Sequence, residues 1–253
     1  MLINTLLEVS GPEYTMKAPT DFLTIKKSEA HPTERADPFG MRLVAAVEAE
    51  EGCRLAESLV KELTGGDKVR ARRMREDFWQ FTATHKVLLV SNHKPIIRGT
   101  DDGIWRRILL IPFDVRFWDR SRGETGPPEL EADKELPEKL LGEKSGILNW
   151  LVWGCREWQA IGLAAPDEVL VETDKYRCEQ NVVGRFVADR CVESAEAEAT
   201  AKDLYGRFQE WCKETGEYAT TQRRFGEAFA ERGYERFTNN GTRYRGIGLL
   251  TGF

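Results

Sequence analysis

No two cysteines in this chain stand in a Cys-x-x-Cys spacing. The five present, Cys53, Cys155, Cys178, Cys191 and Cys212, are scattered, and an odd, dispersed set reads as reduced core thiols in a cytosolic protein. Histidine is scarce as well. His31, His85 and His93 form no ligand spacing with the cysteines, so no structural zinc is expected. Apolar runs of membrane-spanning length are missing, which predicts no membrane partner. The opening stretch MLINTLLEVSGPEY lacks a basic n-region and carries Glu8 early, unlike a signal peptide, so a cytoplasmic location is expected. There is no internal repeat, and neither Gly-Lys-Ser nor Gly-Lys-Thr occurs anywhere in the chain.

What is present suffices for packed cores. The 253 residues are 41% hydrophobic and 31% charged, a balance that argues against disorder throughout and allows one large domain or two to three small ones. The net charge of −5 hides local asymmetry: GGDKVRARRMR, over residues 65–75, holds five basic residues against one acid, whereas residues 124–143 are mostly acidic. A basic segment inside an acidic protein says more about partners than the average does.

Residues 1–118 read as alternating helix and strand, which argues for an α/β fold with a mostly parallel sheet and flanking helices. A helix over residues 2–9 is stopped by Gly11-Pro12 and followed by a loop containing Pro19. A strand is expected over 42–47, and a helix over 52–63 with Leu55, Leu59 and Leu63 on one face. Residues 69–74 and 78–82 read as a hairpin around Arg75-Glu76-Asp77, and strands follow at 87–90 and 108–113. Residues 119–138, rich in Gly and Pro, read as a linker or long surface loop. Residues 139–191 are helical, with Trp150 and Trp158 assigned to a helix core and only Trp153 free to do otherwise. Residues 193–198 (ESAEAE) read as an exposed polar connector. Residues 199–253 give a helix ending at Gly216, a second helix over 221–231, and a hairpin around Asn239-Asn240-Gly241. Helix, helix, hairpin is the back half of a small winged-helix domain. The expected division is therefore 1–118, 119–198 and 199–253.

Residues 86–113, KVLLVSNHKPIIRGTDDGIWRRILLIPF, carry the most chemistry. A buried strand that delivers Asn92 at its C-terminal end, with Arg106 and Arg107 on an adjacent element, suits the reading of a nucleotide γ-phosphate. Glu48 and Glu50 follow another apolar strand directly, where one carboxylate can hold Mg2+ through its water shell and a second can orient the attacking water. The plainer readings are a solvated acidic loop, a turn-forming Asn and surface arginines. In the hairpin, Val69 and Ala71 alternate with Lys68, Arg70 and Arg72, so one face can pack while the other, with Arg73, meets phosphates; the alternative is a charged face with no partner. On the second tail helix Gln222, Arg223 and Arg224 suit a major groove, with Arg236, Arg243 and Arg245 on the wing. The alternative is a winged helix used for protein contacts.

These segments together resemble the C-terminal part of phage/plasmid-type primase–helicases, whose motor is a superfamily 3 helicase of the AAA+ class. The resemblance runs through LINTLLEVSGPEY, RLVAAVEAEEG, KELTGGDKVRARRM, SNHKPIIRGTDDGIWRRILLIPF, GILNWLVWGCREW, LYGRFQEWCKETG and RYRGIGL. It implies ATP and Mg2+ as cofactors, single-stranded and duplex DNA as partners, and a homo-oligomeric ring, expected to be a hexamer. By the same resemblance Glu48 and Glu50 match the Walker B acids, with Glu48 toward the metal; Asn92 matches the sensor Asn; and Arg106 or Arg107 matches the finger that acts in trans. Lys61 and residues 65–72 match the extra motif whose hairpin reaches single-stranded DNA. The departure is the phosphate loop Gly-x-x-x-x-Gly-Lys-Ser/Thr, expected just before Leu2. Without it tight ATP binding is not expected, and the chain reads as part of a longer motor. The competing readings are a non-catalytic winged-helix DNA-binding protein, a decayed prophage remnant, and a ring subunit that contributes only its arginine finger.

Overall fold

Leu2, Ile3, Leu6 and Leu7 recur at helical spacing and form α1 (Leu2–Ser10), which ends at Gly11 in a positive-φ conformation of 81°. A computed structural model describes residues 1–25, 32–47 and 51–250. The chain divides into two compact units, Met1–Glu172 and Thr173–Phe253.

The first unit is built on a three-stranded parallel sheet of order β1-β2-β5. These strands are β1 (Thr15–Ala18), β2 (Leu43–Val47) and, after α2 (Glu57–Thr64) and the antiparallel pair β3 (Lys68–Ala71) and β4 (Trp79–Thr82), β5 (Lys86–Val90). β2 lies in the middle, and Val44, Ala45 and Ala46 are fully buried, as a strand covered on both faces requires. β1 falls where the sequence suggested only a loop. It is short, and its Thr15 is held by a hydroxyl hydrogen bond to the Gly11 carbonyl at 2.9 Å.

Three expectations for this unit are corrected. The helix expected from Gly52 begins only at Glu57. The backbone before it is engaged across the chain instead, with Leu55 N–H donating to the Ile96 carbonyl at 3.0 Å and Ala56 N–H to the Leu23 carbonyl at 2.8 Å. Residues 108–113 join no sheet of the described residues; Leu109, Ile111 and Phe113 are exposed, because an apolar run becomes a strand only beside a partner. Trp150, Trp153 and Trp158 are 64%, 59% and 49% exposed, not core. They lie on α5 (Lys144–Ile161), whose apolar residues ring the helix while it packs mainly against α1 and α4 (Leu136–Gly142) among the described residues.

The Gly/Pro-rich segment is a pinned surface loop rather than a free tether. Trp118 N–H donates to the Leu130 carbonyl at 2.9 Å and Ala132 N–H to the Trp118 carbonyl at 2.8 Å. The Trp118 indole donates to the Pro127 carbonyl at 2.7 Å. Gly126 is required here, since a Cβ would lie 2.7 Å from the Trp118 Nε1.

The second unit begins within α6 (Asp167–Gln180). Asn181 breaks the helix and caps α7 (Val182–Arg190) by accepting from Gly184 N–H at 3.0 Å. Then follow β6 (Cys191–Thr200), α8 (Ala201–Thr215), α9 (Gln222–Glu231), β7 (Glu235–Thr238) and β8 (Thr242–Leu249). Thr200 caps α8 and Gly216 ends it at φ 74°; Thr221 caps α9. Asn240 and Gly241 take φ values of 49° and 116° in the β7–β8 turn, as such a hairpin demands. Phe186, Phe208, Phe225, Phe229, Tyr244 and Ile247 form one core, with the Phe208 and Phe225 rings 4.8 Å apart. α7 and most of β6, which precede residue 199, are thus part of this unit. The expected connector 193–198 is corrected: it lies within β6 of a sheet of order β6-β8-β7, with Glu193 opposite Ile247 and Glu198 opposite Arg245 of β8 and residues 194–197 in the register shift between them. Its polarity reflects exposure, not lack of structure.

Candidate functional site

The register of the parallel sheet sets the geometry. Val47 stands opposite Val90, so β2 and β5 end side by side at one edge, where ligands of parallel sheets collect. Asn92 follows β5 and is exposed. Its turn is fixed by His93 N–H donating to the Ser91 Oγ at 3.1 Å. Glu48 and Glu50, which carry the expected Mg2+ chemistry, lie outside the described residues. Among the described residues no cluster of three His, Cys, Asp or Glu could hold a metal ion. Asn92 is thus an exposed side chain just past the shared edge of β2 and β5, and the sequence contains no Gly-Lys-Ser/Thr phosphate loop.

The loop carrying the arginine pair is clamped onto α2. Glu57 Oε1 accepts from the backbone N–H of Arg98 at 2.9 Å and of Gly99 at 3.1 Å. One turn on, Lys61 donates to both Asp101 carboxylate oxygens at 3.0 and 3.1 Å. That hydrogen bond holds the Asp101 carboxyl below its ordinary range; slight burial opposes it, and the Lys61 charge with the Ile104 and Gly103 amides reinforces it. Asp101 precedes α3 (Asp102–Trp105), and buried Trp105 donates its indole N–H to the Gly99 carbonyl at 2.9 Å. The two arginines differ. Arg107 turns inward, bonding the Gly103 carbonyl, with a buried Nε that has no hydrogen-bond partner among the described residues. Arg106 is exposed. Lys61, read from sequence as a DNA contact, holds this loop through Asp101 while its side chain stays 37% exposed.

The hairpin alternates as its sequence indicates. Val69 and Ala71 are fully buried, whereas Lys68, Arg70, Arg72 and Arg73 are exposed. Phe39, Trp79 and Phe81 anchor it from within, with ring centroids 4.6 to 5.3 Å apart. In the second unit Gln222, Arg223 and Arg224 occupy the exposed first turn of α9, where Arg223 pairs with Glu227 at 2.9 Å. Arg243 is only 30% exposed and faces Glu198 at 3.7 Å, while Arg245 faces Glu198 at 3.3 Å and Glu235 at 3.5 Å. Arg236 is exposed on β7.

Comparison with known proteins bears on this arrangement. Residues 179–247, within the second unit, match the family described as poxvirus D5 protein-like. A protein of Acanthamoeba polyphaga mimivirus named "Putative helicase" is 31% identical over 202 residues, 76% of this chain and 21% of its own length. The chain is similar to further viral proteins named helicase or primase. Frog virus 3 has a "Putative helicase" that is 23% identical over 88% of this chain and 24% of its own length. African swine fever virus has a "Putative primase" that is 25% identical over 83% of this chain and 23% of its own length. The chain thus spans between a fifth and a quarter of the length of these relatives.

Sequence reasoning missed Glu57 and Asp101, which hold the loop, and Phe78 on the hairpin. A signal for the first two existed: Thr100-Asp101-Asp102-Gly103 before an apolar pair is a helix-capping pattern, and a cap next to an arginine pair invites a search for its anchor.

Proposed function

We propose that this chain is the motor and DNA-binding part of a replicative primase–helicase. Its first unit is read as part of a superfamily 3, AAA+-type motor and its second as a winged-helix DNA-binding domain. The observation that carries this is the shared edge of β2 and β5, from which Asn92 issues, close in sequence to a clamped loop that leaves Arg106 exposed. The similarity to proteins named helicase and primase supports it. The phage or plasmid setting of the resemblance remains part of the proposal; the three relatives are encoded by viruses.

In this reading the parent polypeptide supplies a phosphate loop N-terminal to the chain and works as a ring, a hexamer by family resemblance, in the cytoplasm. ATP with Mg2+ supplies the hydrolysable phosphoanhydride. Asn92 hydrogen-bonds the terminal phosphate, Glu48 and Glu50 handle metal and water, and Arg106 rather than Arg107 extends to a neighbouring subunit. Lys68, Arg70, Arg72 and Arg73 track single-stranded DNA, and Gln222, Arg223, Arg224 and Arg243 approach duplex.

The test is DNA-stimulated ATPase of the parent polypeptide. Arg106→Ala is expected to lower turnover about a thousand-fold, the scale of a lost arginine finger, and Arg107→Ala to act through stability. Wild-type turnover in Arg106→Ala would refute the assignment. A second reading, DNA binding without hydrolysis, draws on the lack of a Gly-Lys-Ser/Thr sequence; duplex binding by a parent polypeptide that fails to bind ATP would select it.

A further inference from the structure

The β3–β4 hairpin has two unlike faces. Its inner face is complete without Phe78: Val69 and Ala71 are fully buried, and Phe39, Trp79 and Phe81 pack together. Ala71 pairs with Trp79, so Phe78 stands one step further and turns to the opposite face. There it is 47% exposed. The guanidinium carbons of Arg70 and Arg72 lie 4.4 and 4.8 Å from its ring centroid. The other residues of this face on the two strands, Lys68, Gln80 and Thr82, are exposed, and none is acidic.

A large aromatic ring left half in water beside two ordered cations contributes little to the core. It suits a ligand that is both polyanionic and flat. Phosphates would draw Lys68, Arg70 and Arg72 outward, and an unpaired base would take the place the guanidiniums hold over the Phe78 ring, with a guanidinium plane able to stack on the base in turn. Duplex bases are already stacked on one another and offer no such face, which points to a single strand.

We infer that Phe78, flanked by Arg70 and Arg72, is a base-stacking site for single-stranded DNA. This deepens the proposed function and rests on its reading of the hairpin as a DNA surface. The experiment is fluorescence anisotropy of the full chain with oligo-dT and with an abasic oligonucleotide of equal length and charge. The wild-type chain prefers oligo-dT. Phe78→Ala weakens oligo-dT binding at least about five-fold and leaves abasic binding unchanged, whereas Phe78→Trp retains the preference. If Phe78→Ala keeps the preference for oligo-dT, the stacking site is overturned. If changing Lys68, Arg70 and Arg72 together to Ala leaves both affinities unchanged, the hairpin is not the DNA surface, and the proposed function loses that support instead.

Discussion

Replacing Glu57 by Ala removes one carboxylate oxygen that two backbone amides share. Those amides, of Arg98 and Gly99, lie 2.9 and 3.1 Å away and have no equivalent acceptor once it is gone. A hydrogen bond to a charged group contributes about 1.5–3 kcal/mol when sheltered. Here the groups are only half-buried or exposed, so solvent screening lowers the sum to roughly 1–2 kcal/mol. For a unit of this size that corresponds to a fall in Tm of about 3–6 °C. Glu57→Gln, which keeps an acceptor but not the charge, should lose about half as much. The structure offers an independent lever. A Cβ on Gly99 would collide with Glu57 Oε2 and come within 3.1 Å of Asp101 Oδ2, so Gly99→Ala should displace the same carboxylate. Because both changes strike one interaction, the double variant should be less destabilised than the sum of the singles. Thermal unfolding measures the series, and amide hydrogen exchange at Arg98 and Gly99 reads the clamp directly. Unchanged exchange in Glu57→Ala, or strict additivity in the double variant, would refute the clamp.

Two further outcomes follow from buried groups. His85 is 5% exposed, with neither ring nitrogen hydrogen-bonded among the described residues. Burial pulls its imidazole below the ordinary value; the Pro38 carbonyl opposes this short of bonding geometry, and the Lys86 charge adds to it. The neutral form is thus the folded one. Stability is full above the unfolded value of about 6.5 and falls as the pH drops below it, by up to about 1.4 kcal/mol per pH unit until the folded imidazole also protonates. His85→Leu should remove that slope from melting curves between about pH 7 and 5, and a slope that persists in the variant would assign it elsewhere. For the thiols, Cys155 and Cys178 are exposed and Cys191 and Cys212 buried, so only part of the expected core set is core. Burial, aided by the Glu193 charge, pushes Cys191 up to about 12. Maleimide labelling of the native protein at neutral pH should modify Cys155 and Cys178 and spare Cys191 and Cys212 until denaturant is added. Rapid native labelling of Cys191 would contradict its burial.

Local signals carried much of the fold. α1 and its glycine stop, the basic hairpin, the capped α9 and the Asn-Gly turn of β7–β8 were legible because each depends on residues close in sequence. What was not legible depends on distant partners. TMKA becomes β1 because β2 lies beside it, the two ends of ESAEAE join β6 because β8 lies beside them, and the richly apolar 108–113 has no strand beside it among the described residues. Likewise apolar periodicity located α5 but not its covered side. For the candidate site the sequence offered residue types but not their surroundings: nothing in a basic residue's neighbours separates Arg106, which is exposed, from Arg107, which folds back onto Gly103.

Glu198 between Arg243 and Arg245 acts as a built-in counterion. A cation that already keeps a carboxylate at 3.3 to 3.7 Å must exchange one anion for another when it meets a phosphate, and it holds less of the mobile salt atmosphere to release. Arg224 and Arg236, exposed and without a salt bridge among the described residues, would each approach a full unit of salt dependence, whereas the two β8 arginines would contribute only a fraction. If the second unit binds duplex DNA as proposed, it would do so through fewer effective charges than its arginines number, with Glu198 setting how readily it lets go.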